Sequence, residues 1–282
     1  SQLVKELEPG LNALFGLEYK RYENQHAEIY TTETSDRAFE EEVMLSGFAS
    51  APTKQEGAGV VFDQAGETFT ARYNHETIAL AFSITEEAIE DNLYDRLAGR
   101  YTRALARSMA NTKQVKAANV LNNAQVTTVT GGDGKSLINA SHPLATGGTF
   151  SNVLAVAADL NETSLEQSLI DIGSFVDERG LKIASTGRKM IIPKELQFTA
   201  ERIMKSPMRV GTADNDINAI NNMGMVPEGY VVNNFLTDTD SFFLLTDVPN
   251  GMKYFVRSPI KTAMEGDFDT GNMRFKARER YS

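Results

Sequence analysis

The sequence predicts an α+β chain in which one very long helix separates β-rich segments. Three observations carry that expectation. Residues 83–124, SITEEAIEDNLYDRLAGRYTRALARSMANTKQVKAANVLNNA, keep helical spacing with no proline. Short β-prone runs bounded by turn residues lie on both sides of this segment. A Gly-rich stretch, TTVTGGDGKSLINASHPLATGGTFSN, then parts the helix from a region of mixed helical and strand patterns.

Ser83 and Glu86 have capping-box spacing, and Thr85 is an alternative N-cap. Glu86, Glu87, Glu90 and Asp91 come first; Arg100, Arg103, Arg107, Lys113 and Lys116 follow, an order that suits the helix dipole. From Thr85 to Asn122 such a helix spans roughly 55–60 Å. Its apolar residues Ile89, Leu93, Leu97, Tyr101, Leu105 and Met109 recur every fourth position. Each step overshoots a turn by about 40°, so the stripe winds around the helix. A coiled-coil seam keeps a 3.5-residue period and is excluded. The helix is therefore expected to cross a domain as a strut, buried against different neighbours along its length.

Residues 1–43 read as an extended arm with a short helix, apolar at Leu11, Leu14, Phe15 and Leu17 and acidic towards FEEEV. Residues 44–82 read as a long two-stranded loop, with Val60 to Phe62 and Thr68 to Tyr73 as β-prone runs around DQAGE. Neither segment buries much surface alone, so both ask for a partner. After the Gly-rich stretch, Thr163 and Glu166 have capping-box spacing. Leu165, Leu169, Ile172 and Val176 follow a helical period, and Gly180 supplies the stop. RKMIIP is a short buried strand, and Pro193 precedes a second helix, KELQFTAERIMKS. GYVVNNFL, SFFLLT and MKYFVR are strands. The closing NMRFKARERYS alternates, with Arg274, Lys276, Arg278 and Arg280 on one face and Phe275, Ala277 and Tyr281 on the other.

With 282 residues the chain builds one large domain or two smaller ones. No apolar run reaches the length of about 18 residues that marks a membrane helix, and SQLVKELEPG lacks the pattern of a secretory signal. The absence of cysteine removes disulfides, thiolate metal sites and Cys nucleophiles. A net charge of −10 opposes general affinity for nucleic acid.

GGDGKS resembles the tail of a phosphate loop, but Val129 stands where the first Gly belongs, and a glycine-rich turn is the better reading. DNDINA begins like a calcium loop, but Ala219 and Met225 occupy the Gly and Glu positions. DFDTG holds the Asp269-Thr270-Gly271 tripeptide of aspartic proteases, which need a second carboxylate; a turn explains it more simply. His26, His75 and His142 do not pair at ligand spacing and read as ordinary polar contacts. No catalytic residue, cofactor or metal site is expected.

The order of arm, β-loop, strut helix, Gly-rich segment, α/β region and returning strands is distinctive. ARYNHETIALAFSITEEAIEDNLYDRL, ALARSMANTKQVKAANVLNNA, SHPL before GGTFSN, and DFDTGNMRFKARERYS together resemble the major capsid proteins of tailed bacteriophages. They are similar in particular to the branch that includes Mu-like head subunits. The resemblance runs along nearly the whole chain and implies the Hong Kong 97-like capsid fold. On it, residues 1–43 are the N-terminal arm and 44–82 the E-loop. Residues 83–149 are the peripheral domain with its spine helix, 150–248 the axial domain, and 249–282 the return strands. It implies hexamers and pentamers of this chain in an icosahedral virion shell around double-stranded DNA, made in the host bacterial cytoplasm. Portal, scaffolding and cement proteins are the further implied partners; DNA is held non-specifically and no membrane is involved.

Lys54, Arg72, Tyr73, Arg274, Lys276, Arg278 and Arg280 are the candidate inter-subunit contacts. The −10 charge motivates an acidic inner wall along which DNA slides. Some relatives form a Lys–Asn isopeptide crosslink; here Lys54 and Asn272, with Glu265 or Glu279, are the imaginable partners, without a motif match. The alternatives are an encapsulin-type nanocompartment, disfavoured by the extended arm and by the resemblance of these stretches to phage proteins, and a dimeric aspartic-type protease using Asp269.

Overall fold

The computed structural model describes residues 2–91, 94–209 and 216–282. In chain order the helices are α1 (Gln2–Arg21), α2 (Glu86–Glu90), α3 (Tyr94–Asn122), α4 (Glu162–Gly173), α5 (Gln197–Lys205) and α6 (Ala219–Met223). The strands are β1 (Thr31–Thr34), β2 (Phe39–Leu45), β3 (Glu67–Asn74), β4 (Glu76–Ile84), β5 (His142–Pro143), β6 (Thr149–Phe150), β7 (Gly187–Ile192), β8 (Tyr230–Val232), β9 (Phe243–Thr246), β10 (Lys253–Gly266) and β11 (Met273–Tyr281). The chain divides into two compact units, Ser1–Glu40 with Tyr73–Ala117 and Met252–Ser282, and Glu41–Arg72 with Ala118–Gly251.

The first unit is a four-stranded sheet, order β1-β10-β11-β4, with one face covered by helices. β11 shows why. Its inward residues Met273, Phe275, Ala277, Glu279 and Tyr281 are all buried, while Arg274, Lys276 and Arg278 between them are exposed. That period of two leaves one face for the core and one for water. Ala98, Leu105, Ala106 and Met109 of α3 meet Phe275 and Ala277, and Leu11 and Phe15 of α1 join the same cluster. The small Ala98 and Ala106 let the helix approach closely. Full burial of a side chain the size of Phe275 contributes about 1.5–3 kcal/mol.

The second unit is built on a three-stranded sheet with β7 in the middle, parallel to β8 and antiparallel to β9. Met190, Ile191 and Ile192 are completely buried, as a central strand covered on both faces requires. Leu165 and Leu169 of α4, Ala200 and Ile203 of α5, and Ile220 of α6 close over it. β2 and β3 form a separate two-stranded ribbon in which residues 46–66 are the connection. Gly132 lies against that ribbon so closely that an added Cβ would sit 3.0 Å from the Thr70 carbonyl oxygen.

Several expectations are corrected. The first half of the expected arm is a 20-residue helix, α1, longer than the short helix expected there, because burial of Leu11 and Phe15 outweighs the breaking tendency of Pro9 and Gly10. The single long helix is two, α2 ending at the Asp91 turn and α3 running for 29 residues; Leu93 lies outside the described residues. Thr85 is the N-cap of α2, accepting from the Ala88 N–H at 3.4 Å, and Ser83 belongs to β4. Tyr101 is 45% exposed, so the buried stripe passes through Ala98 and Thr102 instead. Val60 to Phe62 form no strand; the partner of β3 is β2. The capping box of α4 is Asn161 with Ser164, and α4 stops at Gly173, while Gly180 serves a later turn at φ +81°.

Candidate subunit interface

The uncovered face of the first sheet carries its charge. Arg274, Lys276, Arg278 and Arg280 stand opposite Ser83, Ala81, Ala79 and Thr77 of β4. Across β10 they face Glu265, Ala263, Lys261 and Ser258. Directly opposed residues share a face. The result is a row of bases bordered on one side by hydroxyls and methyls alone. Arg274 is ion-paired with Asp267. Lys276, Arg278 and Lys261 are exposed, with no carboxylate partner among the described residues. Arg280 is half-buried, and its Nε lacks a partner among them.

The other candidates fall on or beside the β2–β3 ribbon. Arg72 donates to Glu41 at 2.8 Å. The Tyr73 ring lies 5.7 Å from that of Phe255. Lys54 is exposed in the 46–66 connection. The root of this connection is clamped within the second unit. Arg179 donates to the Gly47 carbonyl at 3.1 Å and to Asp63 at 3.0 Å, and the Gly47 N–H donates to Glu178. The Ala49 and Gln64 N–H groups also donate to the Asp63 carboxylate, which these bonds and Arg179 hold below its ordinary pKa. Beyond the clamp the chain is apolar and bare: Phe48 is 60%, Val60 69%, Val61 68% and Phe62 93% exposed.

One functional-looking cluster was not anticipated. Lys113 of α3 pairs with Glu279 of β11 at 2.7 Å, with the two side chains 14% and 2% exposed. The Tyr19 hydroxyl donates to the same Glu279 oxygen at 3.1 Å, and the ammonium lies over the Tyr19, Tyr254 and Tyr281 rings. Burial, reinforced by Glu279, pushes all three phenols well above their usual range. Four elements, α1, α3, β10 and β11, are pinned there. The signal was available: Glu279 is the one acid in the inward row of an alternating strand.

The tested motifs resolve as structure. In GGDGKS the Gly131 N–H closes the turn on the Lys135 carbonyl at 2.8 Å, and the Asp133 carboxylate takes the Lys135 N–H at 3.0 Å. An acid thus sits where a phosphate would need to be, and it also holds His142 at 2.6 Å. DNDINA falls partly on residues 210–215, outside the described residues. Its Asn218 is buried, caps α6 and donates to the Ile203 and Ser206 carbonyls.

Asp269 lies in the exposed turn between β10 and β11, where Asp267 accepts from Thr270 at 2.8 Å and holds the hairpin. Among the described residues no group of acids and histidines could hold a metal. His75 Nε2 is 2.9 Å from Ser35 Oγ and Nδ1 is 3.0 Å from Ser282 Oγ. Ser35 gives its hydroxyl proton to Glu40, so this Ser–His contact is a buried tie. Glu279 is engaged by Lys113, which removes it as a helper for a Lys54–Asn272 crosslink.

The fold, with its covered-and-open sheet, sheet-centred second unit and bare apolar connection, matches those of capsid and virus-like-particle proteins. The capsid of bacteriophage JBD30 superimposes with a TM-score of 0.56 at 12% identity, over 75% of this chain and 90% of that one. The same capsid decorated with minor capsid protein trimers gives 0.55 at 12% identity, over 77% and 92%. A virus-like particle from Pyrococcus furiosus gives 0.52 at 8%, over 96% and 92%. No curated protein matches. These likenesses show the α+β, Hong Kong 97-like capsid fold. A family model for phage capsid protein matches residues 68–282, so the chain belongs to that family. Its role is that of a shell-forming major capsid protein, and its place is the virion.

Proposed function

We propose that this chain tiles an icosahedral head as hexamers and pentamers and encloses double-stranded phage DNA. The observation that carries this reading is the bare run Val60–Phe62 in a member of a capsid family. A monomer gains nothing from holding such a run in water, whereas a shell covers it on every subunit. Heterologous contacts that close give rings, and many weak contacts sum to a strong container.

In this reading residues 1–43 are the N-terminal segment, 44–82 the E-loop, and 83–149 with 249–282 the peripheral domain. Residues 150–248 are the axial domain. Lys54, Arg72, Tyr73 and the β11 bases contact neighbours. Portal, scaffolding and cement proteins join the shell, DNA is held non-specifically against an acidic wall, and synthesis is in the host cytoplasm. The role is structural rather than enzymatic. The Mu-like branch rests on the sequence resemblance of residues 71–97, 104–124, 141–152 and 267–282.

A nanocompartment is the second reading, because the N-terminal segment that favoured a phage shell is a helix rather than an extended arm. Negative-stain microscopy with size exclusion tests the shell, and nuclease-resistant DNA against bound protein in purified particles separates the two readings. A subunit that stays monomeric across scaffold and salt screens overturns both.

A further inference from the structure

The structure leaves two unpaired pieces of backbone that complement each other. The first is the outer edge of β4. This strand ends the sheet and pairs with β11 alone, in unbroken register from Ile84 to Glu76. Edges of this kind are normally blunted by a charge, a proline or a bulge. Here Thr77 through Thr85, TIALAFSIT, contains no charge and no proline, and the register has no shift. Its inward side is also unfinished. Leu80 is 46% exposed, and Tyr101 beside Phe82 is 45% exposed, so the apolar layer runs off the edge.

The second piece is Gly59–Phe62. It belongs to no strand and makes no backbone–backbone hydrogen bond among the described residues, yet Val60, Val61 and Phe62 are β-formers held in solvent. We propose that Gly59–Phe62 of one copy adds as a fifth strand to the open β4 edge of another copy. This rests on the shell-forming reading and names the surface that receives the loop.

Charge supports the same pairing. Apart from Asp63, which Arg179 engages, the run is flanked by Glu56 and Glu67 against a single Lys54. An added strand would lie about 10 Å from β11, two strand spacings away. Lys276 and Arg278 stand beside the small Ala81 and Ala79 on the same face, which leaves their long side chains room to reach an added strand. Backbone pairing supplies the affinity, and the apolar edge and bases select this segment over others.

The chain has no cysteine, which permits a clean test. Subunits carrying Val60→Cys or Val61→Cys are mixed with subunits carrying Thr77→Cys, Ala79→Cys, Ala81→Cys or Ser83→Cys, assembled, and oxidised mildly. A covalent dimer that forms with only one of Val60→Cys and Val61→Cys is the expected result, because adjacent strand residues point to opposite faces and the four β4 positions share one. Shells of normal appearance with no such dimer at any position overturn the proposal and leave the shell reading intact. Failure of the wild-type chain to form shells or rings overturns both.

As a second arm, Val61→Lys alters an exposed side chain and leaves the subunit folded by circular dichroism. It should raise the concentration needed for assembly about tenfold, equivalent to roughly 1.4 kcal/mol, while Val61→Thr should not. Equal assembly by both variants refutes the strand addition.

Discussion

Replacing Lys113 by Met tests the buried cluster directly. The Lys113–Glu279 pair is 2.7 Å long and almost wholly enclosed. Without Lys113, Glu279 keeps only the Tyr19 hydroxyl, since its second oxygen has no partner among the described residues. Leaving one member of a buried pair uncompensated costs about 3–5 kcal/mol. For a chain of this size that lowers Tm by about 6–10 °C, at roughly 2 °C per kcal/mol. The double variant Lys113→Met, Glu279→Met removes both charges and should return to within about 1 kcal/mol of the wild type. The chain has no tryptophan and nine tyrosines, so tyrosine fluorescence during urea unfolding of the unassembled subunit follows the unfolding, with Tyr19, Tyr254 and Tyr281 contributing to the signal. A loss under about 1 kcal/mol in the single variant, or a double variant as damaged as the single, would refute the reasoning.

Three further outcomes are expected. Burial, with Arg280 and Arg257, lowers the His75 pKa below 6.5, and burial with Lys113 does the same for His26. The unfolded chain therefore takes up protons first as pH falls, so stability is full above the unfolded value and drops as pH passes below 6.5. Melting curves between neutral and mildly acid pH should show that drop, shallower in His75→Gln. Gly187→Ala should destabilise the second unit by about 1–3 kcal/mol, because the new Cβ would sit 2.7 Å from Leu169 Cδ2; pairing it with Leu169→Ala should restore part of the loss in urea titrations. Arg179→Ala releases Gly47, Asp63 and Gln64, so limited proteolysis should cut residues 46–66 several-fold faster while the melting temperature of the rest hardly moves.

Much of the fold was legible because local pattern and burial agree. β11 could be read from alternation, and α4 and β7 from period and apolar content. What escaped had a tertiary cause. Pro9 and Gly10 argue against a helix locally, and only the pocket formed by α3 and the sheet makes α1 worthwhile. Val60–Phe62 have the composition of a strand and no strand partner among the described residues, so propensity alone misplaced them. The break at Asp91 has no sequence signal that we can name. Of the interface candidates, the β11 bases share one open face as their alternation indicated, whereas Arg72 and Tyr73 have intrachain partners that spacing could not show. The uncharged β4 edge is plain in TIALAFSIT, but it becomes meaningful only once the strand order places it last.

β11 sits in the interior of its sheet, bonded to both β10 and β4, yet it is made after every other strand of that sheet. A ribosome that has delivered β1, β4 and β10 has delivered two halves with no seam between them. The Phe275 and Ala277 that α1 and α3 pack against are still to come. Closure of the first unit therefore waits for residues 273–281, and no growing chain presents a finished tile. Neighbouring chains translated from one message stay unfit to join until residues 273–281 of each have been made. Synthesis itself then acts as a timer that keeps subunits apart while they are being made and lets them meet as equals afterwards.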